Sequence, residues 1–142
     1  MRSTYRVLAM LIAIGVVLQA AFIAWGLFTV AHNTDDGEVF DKNTDVTGIG
    51  IHAFVGNAII PLIALLLLIV SFFARIPGGV KWAAITFGVM VLQLVLAFAG
   101  KALPAVGMLH GINAFALAAV ASIAMRKARE ASTAAPVAPV GA

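Results

Sequence analysis

The 142 residues contain no cysteine. This excludes disulfides, iron–sulfur clusters, thiolate metal ligands and covalent c-type haem attachment. Charge is scarce too. Asp, Glu, Lys and Arg together make up 11% of the chain, against about 25% in soluble proteins. No Ser/His/Asp set, phosphate-binding glycine loop or HExxH pair is present, so the common hydrolytic and nucleotide chemistries have no footing. The formal charge of +3 does not point to nucleic acid, because the basic residues cluster at the ends of apolar runs, where membrane topology explains them.

What the chain does have is apolar surface: 63% hydrophobic residues and a mean hydropathy of +1.08. That composition defines an integral membrane protein of one domain. A helix needs about 20 apolar residues to cross the hydrocarbon core. Four stretches qualify: 7–30, 49–74, 82–100 and 103–125. Backbone groups in lipid must pair within their own segment, so these are expected to be helices. The short connections 75–81 and 101–104 make neighbours antiparallel, and the fold class is an all-α, four-helix up-down bundle. The membrane domain spans 1–129, and 130–142, rich in Ala, Pro, Ser, Thr and Val, is expected to be a disordered cytoplasmic tail. Arg75-Ile-Pro-Gly-Gly reads as a turn, with Pro77 stopping the helix and the glycines allowing positive φ. Pro104 suits a first helical turn.

The loops orient the bundle. Arg2, Arg6, Arg75, Lys81, Arg126, Lys127 and Arg129 fall on one side if the spans alternate, whereas only Lys42 and Lys101 fall on the other. The positive-inside rule therefore places both termini in the cytoplasm of a bacterial plasma-membrane protein. The first loop, outside, carries Asp35, Asp36, Glu38, Asp41 and Asp45. Asp41-x-Asn43-x-Asp45 imitates half a calcium loop but lacks its Gly and closing Glu. The first span resembles a signal peptide at its basic start, but its apolar run is too long and retention is expected.

Two histidines stand out. An imidazole in a bilayer is costly and rarely accidental. His52 lies three residues past Ile49 and His110 seven past Leu103. At about 1.5 Å per residue this puts both in the outer part of the membrane, within roughly a helical turn of each other. Their spans run in the same direction and face each other across the bundle diagonal. Residues three and four apart share a helix face, so Gly48 and Gly56 flank His52, while Gly107 and Ala114 flank His110, with Gly111 adjacent. A groove poor in side chains admits a flat macrocycle. The same small residues equally suit close helix packing, and Gly107-xxx-Gly111 is such a motif.

Three meanings stay open for the histidine pair: haem ligation, a buried polar pair, or another metal or proton site. Protein zinc and copper sites usually want three or more ligands, whereas a porphyrin iron needs two. Asn113 and Asn57, or the backbone carbonyls one turn earlier, are candidate acceptors for the second imidazole N–H; each Asn could equally bond a neighbouring helix. Gln19 and Gln93 fall near mid-membrane and read as helix-to-helix bonds, not as cofactor ligands. His32, Lys42 and Lys101 are the candidate partners for haem propionates.

The run Gln93-Leu-Val-Leu-Ala-Phe-Ala-Gly100, then Leu103-Pro104, Leu109-His110 and Asn113-Ala114, resembles one four-helix half of haem A synthase. His52-xxx-Gly56 and the Leu-rich stretch after it fit the same pattern. The diagonal arrangement is also similar to small membrane b-type cytochromes, and the chain resembles small four-helix membrane proteins of actinobacteria. The synthase resemblance implies His52 and His110 as axial haem ligands. It does not carry the oxygenating activity, because the chain has half the length, no loop cysteines, and only Glu38 in the first loop without its flanking pattern.

The expected function is therefore a small cytochrome b-like protein binding one haem b through His52 and His110. Gly48, Gly56, Gly107, Gly111, Asn113 and Ala114 are expected around the cofactor. It would serve electron transfer or haem handling as a non-enzyme. Its partners would be the bilayer and a larger respiratory or oxidase complex, or further copies of itself, and not nucleic acid. The alternative is a non-catalytic accessory subunit whose histidines only pack helices. A small transporter or quinone-binding protein is a third, weaker reading, because no charged residue lies deep in a span.

Overall fold

The structure, a computed structural model, describes residues 1–41 and 43–133. Four helices long and apolar enough to cross a membrane form the bundle of a multi-pass membrane protein. They are α1 (Arg2–Asp35), α2 (Thr47–Ala74), α3 (Gly79–Ala102) and α4 (Pro104–Thr133). Each packs along its two neighbours in the cyclic order α1, α2, α3, α4, so α2 and α4 are diagonal partners. The end carrying the 36–46 connection is called upper here; the chain start and the α2–α3 turn lie at the lower end.

The helices overrun the apolar stretches, because hydropathy marks lipid contact whereas local hydrogen bonds set helix ends. At the end of α1, Glu38 N–H bonds Asn33 C=O and Gly37 N–H bonds Thr34 C=O. Gly37 adopts φ +91°. This is a Schellman stop, which needs a residue without a Cβ penalty at the left-handed position. α2 ends at Ala74, before Pro77, as the turn chemistry dictates. The left-handed positions are Arg75 and Gly78, while Gly79 already opens α3. Pro104 is the first residue of α4, and Leu103 before it is extended, the conformation a following proline favours.

The segment expected to be a disordered tail from residue 130 begins as helix: α4 continues to Thr133. Glu130 pairs with Arg126 and Lys127, and the Ala131 carbonyl accepts from the Arg2 guanidinium at 2.9 Å. The rest of that segment, 134–142, lies outside the described residues.

Within α2, Val55–Ile59 form a π-helical turn just before Pro61. Proline lacks the N–H that would bond the Asn57 carbonyl, and its ring crowds that carbonyl. A wider turn relieves the clash, with Ile60 N–H reaching back to Val55 C=O.

Buried positions recur every three or four residues, for example Ile60, Ala64, Leu67, Ser71 and Ala74 on α2 and Gly79, Ala83, Thr86, Met90 and Gln93 on α3. That period is the seam of a left-handed bundle. The seam is Ala-rich, which lets helices approach in a solvent where apolar surface gains nothing by hiding. Leu65, Leu66, Ile69, Phe72 and Phe73 face outward instead, toward lipid. Among the described residues, the buried hydrophobic side chains lie in the lower half: Tyr5 to Ile12, Ile60 to Ile76, Ala83 to Met90 and Leu117 to Ala128. In the upper half the buried residues are glycines and three amides, Gln19, Gln93 and Asn113.

Candidate cofactor site in the upper half of the bundle

Where the apolar core stops, a cavity of about 590 Å³ opens among all four helices. His52 enters it from α2 and His110 from α4. Their ring centroids are 6.2 Å apart, with the planes inclined by 70°.

Each imidazole is held by the preceding helix. His52 Nδ1 lies 3.0 Å from the backbone carbonyl of Gln19. In return the Gln19 side-chain amide donates to the His52 carbonyl at 2.9 Å. On the other hairpin, His110 Nδ1 lies 3.0 Å from the Gln93 carbonyl, and the Gln93 amide donates to the His110 carbonyl at 3.0 Å. A carbonyl oxygen only accepts, so Nδ1 carries a proton in both rings. That assignment follows from the partners. The His110 Nε2 has one polar neighbour, the Gln93 Nε2 at 3.2 Å.

The acceptors for the imidazole N–H groups are thus neither Asn57 nor Asn113, nor carbonyls of the histidines' own helices. Asn57 bonds the Ala53 carbonyl of α2 and is exposed. Asn113 lies behind the site, donating to Gln93 Oε1 at 2.6 Å and to the Val89 carbonyl at 3.0 Å. Gln19 and Gln93 do bond helix to helix, but at the level of the histidines and to the histidines themselves. A signal for this was in the sequence: Gln19 precedes Gly26 by seven residues, Gln93 precedes Gly100 by seven, and a Gly-to-His run follows each on the next helix.

The glycines serve two purposes, and Gly100 and Gly107 serve both. Gly56, Gly107 and Gly111, with Ala114, line the cavity. A Cβ on Gly111 would meet nothing within 4 Å, so this wall stays flat. Gly48 does not face the cavity as its spacing from His52 suggested. It packs on α1, where a Cβ would fall 2.5 Å from the Gly26 nitrogen. Gly100 meets Gly107 similarly, at 2.9 Å from its Cα.

Of the cationic candidates, Lys101 lines the cavity, its Nζ 5.6 Å from the Phe98 ring centroid. His32 is 77% exposed beside Asp36 and takes no part in the lining. Lys42 lies outside the described residues. Asp41 is occupied in a local turn, accepting from the Asn43 backbone and the Thr44 hydroxyl. Among the described residues no three His, Asp or Glu side chains gather to form a cage for a metal ion.

Comparison with known protein families, with curated proteins and with solved structures returns no match.

Proposed function

We propose that the chain is a small membrane protein of the b-type cytochrome kind, holding one haem b between His52 and His110 for electron transfer or haem handling. The observation that carries this reading is the meeting of two imidazoles, each tethered through Nδ1, at 6.2 Å across a cavity. A metal bound at about 2 Å from each imidazole nitrogen, with each nitrogen roughly 1 Å from its ring centre, sets the centroids about 6 Å apart. The hydrogen bonds from Nδ1 to carbonyls fix the tautomer, as is usual for metal-bound imidazoles. The cavity falls within the range of about 300–1,000 Å³ that small-molecule sites occupy, and its α4 wall at Gly107, Gly111 and Ala114 leaves room for a flat ring.

When bound, the group supplies one-electron chemistry, whose potential depends on ligand identity, burial and hydrogen bonding. The protein's own part is positional. Gln19 and Gln93 orient the imidazoles, the apolar lining excludes water, and Lys101 offers a cation to propionate carboxylates at the mouth. With a metal on His110 Nε2, the second hydrogen of the Gln93 amide would no longer be held there. The first stays on the His110 carbonyl. The seven basic residues at the lower end support cytoplasmic termini in a bacterial plasma membrane. A larger respiratory or oxidase complex, or a second copy, is the fitting redox partner for a single site near one face.

The test is an optical spectrum of detergent-purified protein from haem-replete cells. A Soret band with a sharp α-band on reduction is expected. His52→Ala and His110→Ala should each abolish the six-coordinate form; retention of the wild-type spectrum by both would remove the ligand assignment. A folded but colourless wild-type protein would instead favour an accessory subunit. The reciprocal Gln–His hydrogen bonds, which lock each hairpin without any ligand, are the observation on which that second reading rests.

A further inference from the structure

The two halves of the site are built on one plan, but they are not equally braced. Gln93 is satisfied at both ends of its amide: Nε2 bonds the His110 carbonyl, and Oε1 accepts from Asn113, itself anchored on Val89. Gln19 bonds the His52 carbonyl through Nε2, but its Oε1 is buried with no partner. Gln19 is only 8% exposed, so solvent does not make good the loss.

The missing brace has a local cause. Asn113 stands three residues after His110. Three residues after His52 stands Val55, and the next residue, Gly56, packs so close to Gln19 that a Cβ would lie 2.6 Å from its Nε2. The only Asn nearby, Asn57, sits in the π-helical turn Val55–Ile59 and bonds its own helix. Turns of this type are rare and recur at functional sites. The segment Thr47–Phe54 that carries His52 has extensive interhelical contacts with α1 alone. It is tied to α1 by the 36–46 connection, whereas α4 follows α3 after the single residue Leu103.

The geometry points to unequal ligands: His110 would be the fixed one and His52 the exchangeable one, leaving the α2 side open to a small neutral donor. This inference rests on the haem reading above. In the exchange the bond from His52 Nε2 breaks and the incoming donor's lone pair forms its replacement. The imidazole remains neutral with its proton on Nδ1, and no electron is transferred. The π turn next to Pro61 supplies the hinge on which α2 draws the ring back.

The experiment uses full-length protein in detergent, with carbon monoxide and free imidazole as probes. Reduced wild type is expected to take up carbon monoxide at a rate that saturates at high gas concentration, since departure of His52 limits it. His52→Ala is expected to keep its haem, to bind carbon monoxide without that limit, and to regain a six-coordinate spectrum with imidazole. His110→Ala is expected to lose at least tenfold more haem affinity than His52→Ala. Adding Asn113→Leu to His52→Ala should release the haem that the single variant keeps. Equal haem loss in the two His variants, or greater loss in His52→Ala, overturns the assignment. So does a reduced wild type inert to carbon monoxide, a result that needs no variant to fold. A colourless wild type fails at the earlier step and takes the inference with it.

Discussion

Replacing Gly48 by alanine separates helix packing from cavity lining. A Cβ at this position would lie 2.5 Å from the Gly26 nitrogen, 2.7 Å from the Phe22 carbonyl oxygen and 2.8 Å from the Gly26 Cα. All three are backbone atoms, so no rotamer change makes room. Restoring an ordinary contact of about 3.5 Å requires α1 and α2 to part by roughly 1 Å. Overpacking of this kind costs about 1–3 kcal/mol. Gly50, two residues away on the same helical segment, is the control. A Cβ there meets nothing within 4 Å, and alanine gains up to about 1 kcal/mol in helix propensity.

The two variants, each adding one methyl group, should therefore differ by about 2 kcal/mol or more. Denaturing-detergent titration in mixed micelles, followed by helical circular dichroism and by tryptophan emission, reads the difference. Trp25 adjoins Gly26 and senses the contact directly. The same parting acts on the His52–Gln19 pair, held at 2.9 and 3.0 Å, so Gly48→Ala should also broaden or weaken any haem spectrum while Gly50→Ala leaves it unchanged. Equal stability of the two variants would show that α1 and α2 do not meet backbone to backbone here, and the proposed tethering of His52 would lose its footing.

Two further outcomes follow from single contacts. Gln93→Leu removes the side-chain bonds to His110 and Asn113 but keeps the Gln93 backbone carbonyl on His110 Nδ1; at about 0.6 kcal/mol per interhelical bond in a membrane, the same titration should register a loss of about 1 kcal/mol, with the His110 ring still tethered. In the upper connection, the Asn43 backbone N–H and then the Thr44 hydroxyl hold the Asp41 carboxyl below its ordinary value. A depressed carboxylate stabilises its turn above the ordinary pKa and releases it as pH falls through the lowered one, so the Asn43 and Thr44 amide resonances should shift together only on strong acidification.

The bundle was legible because lipid imposes a simple rule: long apolar runs become helices, and short turns make neighbours antiparallel. The approach of His52 to His110 was legible for the same reason, since two spans of one direction in an up-down bundle are diagonal. What composition could not reveal was which atom each polar group would choose. Asn113 and Asn57 carry the same amide near their histidines, yet one braces Gln93 while the other, at the cavity wall, bonds the Ala53 carbonyl of its own helix. The difference follows from spacing: Asn113 stands three residues after its histidine, on the same face, whereas Asn57 stands five after His52 and inside the π turn before Pro61. Gly48 and Gly56 share one stripe by count, but backbone proximity to Gly26 decides that Gly48 serves packing.

The division of the bundle into two halves gives these details a common cause. Below Ile12, Ile60, Met90 and Leu117 the seam is filled by alanines and branched side chains, and cross-ties reinforce it: Tyr5 donates to the Gly79 carbonyl at 2.8 Å, and Arg2 donates to the Ala131 and Arg75 carbonyls. Above that level each hairpin satisfies its own histidine through its own glutamine, and no bond joins one hairpin's Gln–His pair to the other's. Opening or closing the upper cavity therefore need break neither pair. The lower seam fixes the register of the two hairpins, while glycine contacts at Gly26–Gly48 and Gly100–Gly107 hold each hairpin closed as a unit. A site made this way could admit a large flat ligand between the two hairpins with each imidazole still held through Nδ1 by its own helix partner, which is the physical reason that the upper half, and not the filled lower seam, suits the proposed cofactor.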